Sequence, residues 1–167
     1  VPRLVLARRA AAPPDADVPA CAPDQSDVLR FSDIVLTEDI GAACAHVHAL
    51  RARGASLQSL YLDLLAPTAR HLGDLWNADL CDFTAVTLGL WRLQQVLREL
   101  STAFHDEVDQ RECGRRVLLA PAPGDQHTFG LFMVAEFFRR DGWEVWCEPL
   151  STSNAMVARL RNRWFAV

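Results

Sequence analysis

Arg115-Arg116-Val117-Leu118-Leu119-Ala120-Pro121-Ala122-Pro123-Gly124-Asp125-Gln126-His127-Thr128-Phe129-Gly130 is the stretch whose reading decides the fold. Val117 to Ala120 is a short apolar run of the kind that forms a buried strand. A Pro/Gly loop follows, and then an amphipathic helix is predicted from about Thr128 to Asp141, closed by Gly142. Trp143 to Leu150 reads as a second strand. Strand, loop, helix and strand make a unit of the doubly wound α/β type, whose ligands lie at the carboxyl ends of parallel strands. The loop brings Asp125 and His127 to that edge, and Gly130 falls in the first helical turn, where a bulky group may approach a residue without a Cβ. A neutral imidazole suits a first-row transition metal, and a carboxylate two residues away accepts the other ring N–H. A solvated loop histidine is the bland alternative.

Outward from this unit, composition bounds the rest. At 167 residues the chain is long enough for one ordinary domain or two small ones. Half its residues are apolar and 23% are charged, which fits a soluble globular chain and not a disordered one. No apolar run approaches the ~18 residues of a membrane span, and no signal peptide is evident. The net charge of −4 argues against DNA binding through the whole surface. Five cysteines lie scattered without a CxxC pair, so a disulfide framework or zinc site is not expected and a reducing cytoplasm fits best. All seventeen basic residues are arginine, a bias of composition rather than a device.

Residues 1–26 are rich in Ala, Pro, Arg and Asp and read as a mobile arm. Residues 27–105 read as a helical unit. A first helix spans about Val28 to Leu36, and Thr37 is placed as the N-cap of a second one that carries Ile40, Cys44, Val47 and Leu50 and ends at Gly54. His46 and His48 on that helix read as surface residues. Ser56 caps a third helix, which Pro67 is expected to kink or break. Asp82 caps a fourth, on which Phe83, Val86, Leu90, Leu93, Leu97, Leu100 and Phe104 recur by threes and fours as a packing seam. Residues 106–115 read as a charged linker. The chain from 116 to 167 then reads as the N-terminal half of the α/β domain, with a helix from Ser153 or Asn154 to about Arg163 and the opening of a third strand at Trp164. On this reading a completing half of ~50–70 residues is expected, and the chain as it stands is expected to hold a ligand poorly. Fold class is therefore α/β: an N-terminal four-helix bundle, then a truncated doubly wound (Rossmann- or flavodoxin-like) domain.

A helical unit followed by Asp125-x-His127-x-x-Gly130 resembles the cobalamin (vitamin B12)-binding domains of methionine synthase, corrinoid methyl carriers and light-sensing regulators. The resemblance covers about residues 30–167. It implies that His127 is the lower axial ligand of cobalt, with Asp125 behind it and Thr128 and Gly130 lining the cofactor. Leu72-Gly73-Asp74-Leu75-Trp76 resembles the family's LGxxW segment, which implies that Trp76, with Phe83 and Trp91, lies over the upper face. As residues alone, Trp76 reads equally as core. Where methyl carriers read DxHDIGKN, this chain has Thr128-Phe129-Gly130. Where transcription-factor light sensors carry Glu-His, it has Val86-Thr87, so that helix implies no upper histidine; His71 is a remote alternative. Residues 82–94 and 124–130 are most similar to the AerR/PpaA-type antirepressors of photosynthesis genes. That resemblance implies a cytoplasmic regulator rather than an enzyme, holding adenosyl- or hydroxocobalamin and relieving a DNA-binding transcriptional repressor by protein contact. No membrane association and no sequence-specific DNA binding of its own is expected. A heme-binding sensor of the same architecture, or a methyltransferase's corrinoid carrier, is the alternative. The acidic stretches Asp15–Asp17 and Asp106–Asp109 are the expected partner surface. No P-loop, Ser/His/Asp, Cys/His or paired-carboxylate motif supports catalysis.

Overall fold

The computed structural model describes residues 22–107, 114–122, 128–149, 157, 160, 161 and 163–166. Its elements are α1 (Gln25–Thr37), α2 (Ile40–Ala52), α3 (Leu57–Ser59), a π-helical segment π1 (Leu60–Leu65), α4 (Ala66–Asn77), α5 (Phe83–Asp106), β1 (Arg116–Leu119), α6 (Phe129–Arg140) and β2 (Glu144–Cys147).

Four helical starts are set by a short polar side chain. Asp24 caps α1 by accepting from the Ser26 and Asp27 N–H groups, and Asp27 returns a bond to the Asp24 N–H, a closed capping box. Asp39, not Thr37, caps α2 by accepting from the Ala42 N–H. Thr37 is the last residue of α1, and its hydroxyl donates to the Asp33 carbonyl, a bond that keeps the threonine inside the preceding helix. Ser56 and Asp82 cap α3 and α5 as the sequence predicts.

The interruption expected at Pro67 takes the form of a change of pitch. Proline offers no N–H to the carbonyl one turn back. The turn before it is π-helical, with the Ala66 N–H donating to the Tyr61 carbonyl. The rod of α3, π1 and α4 therefore stays continuous where a break was expected. It also keeps Leu60, Tyr61, Leu64 and Leu65 fully buried.

That core is aromatic where the helical unit meets the α/β unit. Tyr61 stacks on Phe104 at 4.1 Å, and Phe137 meets Phe104 edge-on at 5.1 Å. Each such side chain removed from water contributes on the order of 1.5–3 kcal/mol, so this contact dominates how the two units are joined.

β1 and β2 pair in parallel, with Arg116 opposite Glu144 and Leu119 opposite Cys147. β1 has the expected length and begins one residue earlier, whereas β2 is shorter than the run from Trp143 to Leu150 suggested. The Arg115 and Leu119 carbonyls accept from Glu144 and Glu148 on the β2 side. Carbonyls alternate along a strand, so that of Arg116 points to the other edge, and there it accepts from the Ala166 N–H at 2.9 Å. Residues 164–166 thus lie beside β1 on the edge away from β2, where a third strand stands in the flavodoxin-like order, while the described sheet itself has the two strands β1 and β2. Of the helix expected up to Arg163, Val157, Leu160 and Arg161 are helical among the described residues. Arg163 is not merely solvated, because its guanidinium lies over the Trp146 ring at 4.4 Å.

Candidate functional site

In a sheet of this order the switch point is the carboxyl edge between β1 and the third strand. The chain leaves β1 there through Ala120–Ala122 and returns at Thr128. Asp125 and His127 lie outside the described residues, as does most of the 1–26 arm and residues 108–113 of the linker. Thr128 precedes α6 in helical conformation and makes no side-chain cap. Gly130 is exposed, and a Cβ built on it would meet nothing within 4 Å. Among the described residues no protein group presses on Gly130, so none of them makes the close approach expected there.

Helix α5 governs what overhangs this edge. Its second half runs beside α6 in the same direction. Ser101 and His105 meet Glu136, Phe104 meets Phe137, and Glu107 meets Arg140, while Gln94 and Leu97 share a cavity wall with Phe132. α6 returns the chain from the carboxyl end of β1 to the start of β2, so its own start marks the carboxyl edge. If Gln94 is level with Phe132, then at 1.5 Å per residue Phe83 lies roughly 12 Å beyond Phe129. The first part of α5 therefore projects past the carboxyl edge of the sheet.

That projecting part packs Val86 and Leu90 against the core and leaves apolar side chains exposed at its tip. Phe83 is 69% exposed and Trp76, at the end of α4, is 44% exposed. The two rings meet edge-on at 5.9 Å. Trp76 is thus not core, and the seam read from Phe83 to Phe104 is fully buried only at Leu93, Leu97, Leu100 and Phe104. On a helical wheel of 100° per residue Phe83, Leu90 and Gln94 fall on the stripe that faces α6 further along, whereas Trp91 lies roughly 60–80° away. Trp91 is 49% exposed on the flank. Leu80, 75% exposed in the turn between α4 and α5, joins the apolar surface although the sequence reading passed over it. Asp79 in that turn adopts φ 54°, a conformation that a short polar residue tolerates. His71 sits partly buried on α4.

Two other features held no place in the sequence reading. Arg92 donates to the Val35 and Leu36 carbonyls at 2.6 and 3.3 Å, closing the end of α1 and tying it to α5. Glu136, 7% exposed, accepts from the Ser101 hydroxyl and from Arg139, both at 2.6 Å. A lone acid inside the apolar run Met133–Phe138 was the signal for it. The Ser101 hydroxyl is committed to a carboxylate rather than to His105, so this cluster lacks the nucleophile–base pair of a hydrolase. Burial, with the Glu136 carboxylate near, pushes the Tyr61 phenol well above its ordinary range.

A cleft of about 440 Å³ lies at the opposite, amino edge, lined by His105, Arg115, Arg139, Gly142, Trp143 and Glu144. Its side chains are largely engaged with one another or with neighbours: Arg139 with Glu136, Arg115 over Trp143, and Glu144 with Arg116 at 2.6 Å. The hydrogen bond from Arg116 holds the Glu144 carboxyl below its usual range, helped by one from Trp146. His46, read as a surface residue, is half-buried against Phe31 at 5.5 Å with Nε2 unpartnered. His48 is exposed as expected. Among the described residues no cluster of three or more His, Cys, Asp or Glu side chains is placed to hold a metal, and no helix is long and apolar enough to cross a membrane.

No family model matches the chain. It is 34% identical, over 95 residues, to an uncharacterized 20.5 kDa protein from the bchF-crtJ intergenic region of Rhodobacter capsulatus; the match covers 57% of this chain and 50% of that protein. The chain thus spans about half the length of the curated relative it matches. Among solved structures it superposes on the monomethylamine corrinoid protein of Methanosarcina barkeri with a TM-score of 0.67 and 13% identity, over 84% of this chain and 65% of that one. A helical unit joined to a small parallel sheet, in the arrangement of a corrinoid protein, is the fold of this chain.

Proposed function

We propose that the chain carries the helical cap and α/β elements of a cobalamin-binding regulatory module. The observation that carries this reading is the overhang. Trp76, Leu80 and Phe83 stand exposed beyond the carboxyl edge of β1, on the side where no described residue presses on Gly130 in the first turn of α6. Apolar surface that a fold leaves in water above a ligand-binding edge fits a large, flat, mostly apolar ligand. The shared fold of a corrinoid protein supports the same reading.

In this assignment His127 supplies the lower cobalt ligand and Asp125 orients its imidazole. Thr128 and Gly130 border the cofactor from below, and Trp76 and Phe83 cover its other face. A bound alkylcobalamin supplies a cobalt–carbon bond that visible light breaks. The residues of this chain then act by shape. Trp76 and Phe83 admit or refuse bulk above the ring, and the seat of α5 on α6 sets their height.

The output is a protein contact and not a reaction. The related protein's place in the bchF-crtJ region supports a photosynthesis-gene setting; a DNA-binding repressor as the partner is what the resemblance to the antirepressors implies. Titration of the purified chain with hydroxocobalamin, followed by its visible spectrum, tests the binding. The parent shifts the cobalt bands and His127→Ala does not. Identical spectra for both remove the ligand assignment. Capture of the repressor by the illuminated hydroxo form and not by the dark adenosyl form tests the output; equal capture by both, or by neither, removes it.

A further inference from the structure

We propose that the α5–α6 seam has two settings, marked by whether the buried Glu136 carboxylate is hydrogen-bonded to Ser101 or to His105. This stands on the seam alone, whatever ligand fills the cleft above.

In the setting seen, the Ser101 hydroxyl donates to Glu136 Oε2 at 2.6 Å, and Arg139 Nη1 donates to Oε1 at 2.6 Å. His105 Nε2 lies 3.0 Å from the same Oε2, yet it is buried without a hydrogen-bond partner. The distance is right and the direction is wrong. A buried polar nitrogen left unbonded is unfavourable, so a nearby arrangement that bonds it is close in free energy. Ser101 and His105 are four residues apart, one turn along the same face of α5. A small tilt or roll of α5 over Glu136 exchanges one donor for the other. Arg139 keeps its oxygen in both settings, so the carboxylate is never left unpaired.

The surroundings permit that motion. On one side the seam is pinned by the stack of Tyr61, Phe104 and Phe137, with the Arg140 guanidinium over Phe104 at 4.4 Å. On the other side it opens into a cavity of about 160 Å³, bordered by Gln94, Leu97, Arg98, Ser101 and Phe132. A tight aromatic contact, a latch one turn before it and a void beyond are the parts of a pivot. The arm is long: Ser101 to Phe83 spans roughly 27 Å of helix, so a tilt of about 5° moves Phe83 by about 2 Å. The latch therefore regulates the gap between the Trp76–Phe83 overhang and the carboxyl edge. The groups around Glu136 are the His105 imidazole from α5, the Arg139 guanidinium from α6 and the buried Tyr61 phenol from π1, with Arg98 of α5 on the wall of the same cavity.

The test is nitrogen-detected NMR of the His105 ring, with relaxation dispersion along α5, on the whole 167-residue chain. Ser101→Ala removes the donor of the present setting. It is expected to move Nε2 to the position of a hydrogen-bonded nitrogen and to change amide exchange over residues 83–90 by about tenfold, together with the end of α1 that Arg92 ties to α5. His105→Phe, which forbids the second setting, is expected to abolish millisecond exchange seen at Ser101 and Glu136 in the parent. A His105 ring that is identical in parent and Ser101→Ala, or flat dispersion at Ser101 and Glu136 in the parent, overturns the proposal. Should Ser101→Ala fail to fold, the parent's dispersion and its loss in His105→Phe decide alone.

Discussion

The two halves of α5 obey the same periodicity and have opposite fates. From Leu93 onward every seam residue is buried, and Phe104 is sealed by Tyr61, Phe137 and Arg140. Before Gly89 the same spacing leads to Phe83, exposed above the edge of the sheet. What divides them is the length of α6, a 12-residue helix beside a 24-residue one. Periodicity names the face that wants cover; only the neighbour's extent says whether the chain provides it. The uncovered half is where a ligand gains most by binding.

The sharpest way to break this comparison is to truncate one aromatic in each half. Phe104→Ala is expected to lower stability by ~3–5 kcal/mol, because it empties a sealed site. Phe83→Ala is expected to change it by less than about 0.5 kcal/mol, as at an ordinary surface position. Urea denaturation of both variants measures the contrast, and similar losses would mean that the overhang is part of the core.

A smaller effect concerns the caps. Asp39→Ala and Asp82→Ala each remove one side-chain acceptor from a helix start and are expected to cost about 1 kcal/mol. Circular dichroism during thermal unfolding checks this. Thr37→Ala is expected to cost clearly less than Asp39→Ala, since Thr37 ends α1 and does not cap α2.

The smallest is a pH effect at His46. Burial lowers its pKa below the ordinary 6.5, and Arg30 adds to this. The folded chain therefore takes up a proton there less readily than the unfolded one. Stability contributed by the neutral form is present above pH 6.5 and is lost as pH falls through the depressed folded value. Denaturation at pH 7 and pH 5 should show a smaller acid loss in His46→Phe than in the parent; an unchanged loss would place the titrating group elsewhere.

Most of this architecture was legible in short-range chemistry. Apolar runs gave both strands, and Ser56 and Asp82 announced their helices because a cap is a contact between near neighbours. Thr37 misled because two acidic residues follow it, and Asp39 competes for the same role with a better acceptor. Pro67 was expected to break a rod that instead absorbs it in a π turn, since burial of Tyr61 and the leucines around it favours continuity. Trp76 could not be placed from its own helix, because its exposure depends on where α6 begins. Glu136 was hidden for a similar reason: besides Arg139 on its own helix, the groups that meet it, His105 and Ser101, are on α5, 31 and 35 positions earlier in the chain. The loop with Asp125 and His127, on which the cobalamin resemblance rests, lies outside the described residues, so its part in the site is for solution experiments.

The most direct measurement of the central claim compares the two ends of the molecule with and without ligand. Hydrogen exchange of the chain with hydroxocobalamin is predicted to show protection over residues 76–90 and 128–131, the overhang and the first turn of α6. The amino-edge cleft around Arg115 and Trp143 should be unchanged, although it is a hollow of about 440 Å³. Protection at residues 114–116 and 142–144, or none anywhere at saturating cobalamin, would contradict the account.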